Sequence, residues 1–124
     1  MTRKTSAESV EERLQRGIAR KIAGEYPEAE RELRAVLAAV PDHGIAHHEL
    51  ALVLGFTGDF DGSLAELSRA VELLPKEIKP RLDLAKTQCM LGEYEAAKQS
   101  FQAVLDADPE NDEARNNLEF LADV

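Results

Sequence analysis

A chain of 124 residues that is 44% hydrophobic is the size of one domain and can bury a continuous core without disulfides, and its one cysteine, Cys89, has no internal partner. Fifteen Lys and Arg against 24 Asp and Glu give a net charge of -9, a field that repels phosphate backbones and anionic lipid heads, so neither nucleic acid nor a membrane is the expected partner. No apolar run approaches the roughly 18 residues of a membrane span, and the polar start lacks the apolar centre of a secretory signal, so a reducing, cytoplasmic setting is expected.

Residues 1–9 read as a polar, flexible leader. Ser9-Val-Glu-Glu12 has the form of a capping box and predicts a helix that runs to Gly24. Pro27 then fits the first turn of a second helix, whose apolar stripe is Ala29, Leu33, Val36, Leu37 and Val40. Pro41 ends it, because proline disfavours the helical conformation of the preceding residue. The pattern returns twice: Gly58 and Gly92 follow Gly24 at intervals of 34 residues, each opening a Gly-acidic-aromatic phrase, and Pro75 and Pro109 follow Pro41 at the same interval. The matching stripes are Leu64, Leu67, Ala70, Val71 and Leu74, then Ala97, Phe101, Val104 and Leu105. Pro80 can be housed in the first turn of its helix.

Three copies of a helical hairpin, over 10–43, 44–77 and 78–111, therefore predict an all-α stack. A lone hairpin cannot bury its second apolar face, whereas stacked copies cover one another. Residues 112–122 carry Ala114, Leu118, Leu121 and Ala122 on one face and mostly polar residues elsewhere, the pattern of a solvating cap. Seven helices are expected in one domain over 10–124.

The period and its landmarks resemble the tetratricopeptide repeat (TPR) family. In the second repeat the resemblance rests on Leu50, Ala51 and Leu54 with Ser63, Leu67 and Pro75, and in the third on Leu84 and Ala85 with Ala97, Phe101 and Pro109. It implies an α-solenoid of antiparallel helix-turn-helix units. The first repeat departs from the pattern, since Arg13, Arg16 and Arg20 stand where the family has apolar and aromatic residues. They are expected either to meet water and cap the stack, or to form a basic stripe for an acidic partner or a second copy; Arg16, at a position that packs inward in the family, fits neither well.

The resemblance further implies that the first helix of each hairpin lines a concave groove. The corresponding residues are Leu14, Ile18 and Ile22, then His48, Glu49, Leu52 and Phe56, then Lys79, Leu82, Asp83, Lys86 and Met90, with Asn116, Asn117 and Phe120 from the cap. An apolar floor with a mixed-charge rim suits a peptide or an amphipathic helix of another protein. Ile18, Leu52 and Leu82 can also be read as packing between neighbouring helices. The clamp with which some family members grip chaperone C-termini would fall on Leu14, Ile18, Glu49, Lys79 and Asp83, of which only Lys79 retains the required chemistry.

His43, His47, His48 and Glu49 form the densest group of potential ligands, but His43 precedes the expected helix start and the adjacent His47 and His48 point to different faces. Cys89 has Lys86 as its nearest cation at helical spacing, and packing is the simpler role. No phosphate-cradling loop or nucleophile elbow is present. The expectation is a non-catalytic adaptor or scaffold with no metal or cofactor. Self-association into a dimer or larger assembly, or a small TPR-type chaperone of protein substrates, is the alternative.

Overall fold

The computed structural model describes residues 8–124, which form α1 (Val10–Ile22), α2 (Tyr26–Ala39), α3 (Gly44–Phe56), α4 (Phe60–Leu73), α5 (Ile78–Met90), α6 (Tyr94–Ala107) and α7 (Asp112–Leu121), with no strand among the described residues. The leader expected over 1–9 falls, for residues 1–7, outside the described residues. Each helix packs on its neighbours in the chain, and α1 also meets α3. This is the expected serial stack of three hairpins and a cap, which is one residue shorter than the expected 112–122.

The hairpin turns follow from backbone chemistry. Gly24, Gly58 and Gly92 have φ values of +80°, +90° and +77°, a left-handed conformation that costs a side-chain-bearing residue about 1–2 kcal/mol. At the first turn the Gly24 amide donates to the Lys21 carbonyl and the Glu25 amide to the Arg20 carbonyl, and the other two turns repeat both bonds. This closes one helix and starts the next within two residues. Ser9 caps α1 with the reciprocal Glu12 bond, as expected of the capping box. His43, Asp59 and Asn111 each accept a backbone amide from the first turn of α3, α4 and α7.

Two apolar clusters fill the stack. The first contains Leu14, Ala29, Leu33, Val36, Ala46, Leu50, Val53 and Leu54; the second contains Leu82, Ala85, Ala97, Phe101, Val104, Ala114 and Leu121. Leu67 and Ala70 of α4 are buried between the outer repeats. The α-helical stripes read from sequence therefore do face the core; the cap helix buries Ala114 and Leu121 and packs Leu118 partly against the second cluster, whereas Ala122, expected on the same face, lies past the helix end and is exposed.

Arg13, Arg16 and Arg20 partly meet water, as the first expectation had it, but they are also paired with carboxylates of their own chain. Arg16 donates from Nε to Glu32 of α2 at 2.8 Å and also pairs with Glu8, while Arg13 lies 3.4 Å from both of those carboxylates. Arg20 pairs with Glu25 at 2.6 Å. Hydrogen bonding to Arg16 holds the Glu8 and Glu32 carboxyls below their ordinary range. Arg16 has no apolar partner to replace because Glu32 stands opposite it. These pairs are partly exposed and add little stability, but their charges are already matched within the chain.

Phe101 is fully buried in the second cluster, so Phe101→Ala is expected to cost about 3–5 kcal/mol. Gly58→Ala is expected to cost about 1–2 kcal/mol through its positive φ. Urea unfolding followed by circular dichroism measures both, and equal midpoints for wild type and either variant would contradict the packing described.

Candidate functional site

The helices α1, α3, α5 and α7 begin successive repeat units, and side chains from each reach the next. Lys21 Nζ lies 2.6 Å from Glu49 Oε1, with both side chains only 16% exposed. The contact is an ion pair without hydrogen-bond alignment. His48 Nε2 lies 2.8 Å from Asp83 Oδ2, and Lys79 donates to Asp83 Oδ1 at 3.1 Å. Lys86 lies 3.9 Å from the same Asp83 oxygen and 2.8 Å from Glu113 of α7. Ion pairs thus link α1 to α3 and α5 to α7, and the His48–Asp83 hydrogen bond links α3 to α5.

Burial raises the Asp83 pKa, but the hydrogen bonds from His48 and Lys79 and their charges outweigh it and hold the carboxyl below its ordinary value. Asp83 therefore stays ionised at neutral pH, which keeps its contacts intact.

Beside these charges runs an apolar ridge. Ile22, Phe56 and Met90 are the last residues of α1, α3 and α5, stand 34 residues apart, and are 61–77% exposed. Phe120 of α7 is 80% exposed. The Tyr26 and Phe56 rings stack with centroids 5.3 Å apart, tying the first hairpin turn to the end of α3. Between the second and third repeats lies a recess of about 300 Å³, lined by Leu52, Gly55 and Phe56 of α3, Phe60, Ser63 and Leu67 of α4, and Asp83, Lys86, Thr87 and Met90 of α5, with Ala51 at its floor.

The residues expected in the groove take different places. Leu14 and Leu82 are buried in the two core clusters, so they support this face from behind instead of lining it. Ile18 packs partly against the first cluster. His48, Glu49, Lys79, Asp83 and Lys86 make the polar contacts described above, and Leu52, Phe56 and Met90 border the recess. Asn116 is exposed, whereas Asn117 is turned back to donate to the Glu113 carbonyl of its own helix.

Sequence reasoning missed Lys21, Tyr26, Gly55 and Phe60. Tyr26 and Phe60 were visible as the aromatic residue of the repeated turn phrase. Lys21, Gly55 and Cys89 occupy one register position, and their inequality was the available signal.

The three histidines serve separate partners. His43 caps α3 through Nδ1, and His47 sits between Glu66 at 2.6 Å and the Pro41 carbonyl at 2.7 Å. His48 is held by Asp83. No group of three or more potential metal ligands occurs among the described residues. Cys89 packs partly against the second cluster, and burial pushes its thiol pKa up, which disfavours the reactive thiolate. No helix among the described residues is long and apolar enough to cross a membrane.

Family models for the tetratricopeptide repeat match residues 14–78 and 57–119. The chain belongs to the tetratricopeptide repeat family. Among solved structures, the first TPR of Spaghetti (RPAP3), bound to the HSP90 peptide SRMEEVD, is similar at 22% identity and a TM-score of 0.85, over 92% of this chain and 90% of that one. MamA is similar at 17% identity and a TM-score of 0.90, over 97% and 70%. An O-GlcNAc transferase mutant from Thermobaculum terrenum is similar at 26% identity and a TM-score of 0.79, over 98% of this chain but 23% of that one. No curated protein sequence matches the chain.

Asp83 supplies the pH dependence of this TPR face. A carboxyl with a depressed folded pKa stabilises fully above its ordinary value, 3.8, and loses that contribution as pH falls through the lower folded value. Asp83→Asn is expected to lower stability at pH 7 by about 1–3 kcal/mol and to unfold along a flatter profile from about pH 5 downward. Urea midpoints for wild type and variant across that range measure the difference, and parallel profiles would contradict it.

Proposed function

We propose that this TPR chain is a non-catalytic, cytoplasmic interaction module that holds a peptide or an amphipathic helix of another protein against α1, α3, α5 and α7. The observation that carries this reading is the ridge of Ile22, Phe56, Met90 and Phe120. Ile22, Phe56 and Met90 share one register and Phe120 lies on the cap helix; four large apolar side chains, each more than 60% exposed on this series of helices, support a contact surface. Burying each would contribute about 1.5–3 kcal/mol to a complex. The adjacent charges would set the orientation of a bound chain.

The similarity to a domain solved with an HSP90 peptide supports a peptide ligand in general. It does not bring that peptide's acidic end to this chain. An incoming carboxylate would meet Glu49, already paired with Lys21, and Asp83, already paired with Lys79. An apolar ligand segment fits the exposed ridge better. The histidines, each engaged by a different structural partner, give no support to a catalytic role.

The double variant Phe56→Glu/Met90→Glu places charge on the ridge at exposed positions and is expected to keep its helicity while losing capture of its protein partner from cell extract. Retained capture by a folded double variant would overturn the reading. A second copy of the chain could cover the same ridge, so sedimentation across a concentration series accompanies the pull-down: a mass that doubles in wild type and not in the double variant would assign the ridge to self-association.

A further inference from the structure

The first and second repeat junctions share one backbone plan but differ at one position. At the first junction, Lys21 extends from α1 to Glu49 of α3, and the Tyr26–Phe56 stack closes the outer side. Gly55 stands where Lys21 does, 34 residues later, and Asp83 where Glu49 does. With no side chain at Gly55, the position corresponding to the Lys21 stem is part of the 300 Å³ recess. The glycine is not required by packing, since a Cβ there would meet only Ser63 Oγ, at an ordinary 3.6 Å.

We infer that Gly55 opens a specificity slot between the second and third repeats, which takes one neutral, unbranched or leucine-sized side chain of a bound peptide. This deepens the proposed function and rests on it.

Two observations fix the chemistry of the occupant. The first is shape: the molecule itself fills the corresponding place with the four-carbon stem of Lys21, which is largely buried, so a side chain of similar length and slenderness fits. The second is charge. Lys86 occupies the register position that Leu52 holds at the first junction, and Asp83 is already met by His48 and Lys79. A cation would face Lys86 and an anion would face Asp83, which are already paired with Glu113 and Lys79 respectively. An uncharged apolar chain meets Leu52, Phe56 and Met90 at no such penalty. The volume is at the lower end of the range for ligand pockets, about 300–1,000 Å³, which suits a single anchoring side chain.

Gly55→Met places a neutral, unbranched side chain of about the length of Lys21 in the slot and replaces a helical glycine with a better helix former. The variant is expected to melt no lower than wild type. The probes are N-acetylmethionine methylamide, N-acetyllysine methylamide and N-acetylglutamate methylamide, titrated separately while proton–nitrogen correlation spectra are recorded. Saturable shifts centred on the Gly55, Phe56, Thr87 and Met90 amides are expected with the methionine probe in wild type, with affinity at least about tenfold above that of the charged probes. Those shifts should vanish in Gly55→Met.

Equal responses to all three probes, no response in wild type, or shifts that persist in Gly55→Met would each overturn the slot. Phe56 and Met90 border the recess as well as the ridge, so the pull-down is repeated with Ile22→Glu, a ridge residue outside the recess, and the two ideas then fail separately.

Discussion

Close approach of paired helices through small residues is the constraint on which this stack rests. Ala29, Ser63 and Ala97 hold one register on the second helix of each hairpin, and Gly17, Ala51 and Ala85 hold one on the first; all six are buried. Ser63 Oγ donates to the Ala51 carbonyl at 2.8 Å, so the one polar member is satisfied across the contact. At Gly17 a Cβ would come within 3.0 Å of Leu33. Because these positions are small, Leu33, Leu67 and Phe101 can reach full burial beside them, and dense packing is what makes the repeated unit rigid enough to present a surface.

Once that contact is fixed three times, the remaining positions are free to vary without changing the backbone plan. Lys21 and Gly55 share a register yet one bridges to a neighbouring helix and the other leaves space. Glu49 and Asp83 likewise share a register and both attract cations, but from different directions: Lys21 comes from the preceding repeat, whereas Lys79 comes from the same helix as Asp83. A repeat protein thus acquires chemically distinct sites by single substitutions at equivalent places. The net charge of -9 describes the molecule as a whole and not this face, where lysines and carboxylates alternate across the helices.

The periodic placement of several candidate residues was legible before any coordinates. The ridge of Ile22, Phe56 and Met90 follows from period and phase alone, because a residue at the end of one helix must recur at the end of the next equivalent helix. Leu14 and Leu82 were misplaced because apolar residues on the flank of a helix can turn either to the groove or to the core, and only the neighbours decide. The arginines of α1 were opaque for a related reason. Their partners, Glu32 and Glu25, belong to the facing helix and the turn, and pairings across a hairpin have no signature in local periodicity.

The sequence by itself determined the repeat, the helix boundaries, the glycine turns and the stripes that face the core, since these depend on interactions within a few residues and on a period of 34 that the chain states three times. Tertiary structure alone decided that Asp83 is buried among three basic side chains, that Lys21 fills one junction, and that Gly55 leaves the next one open. Those outcomes depend on distances between residues far apart in the chain, where an ångström of helix separation determines whether a side chain is a bridge, a filler or an empty place.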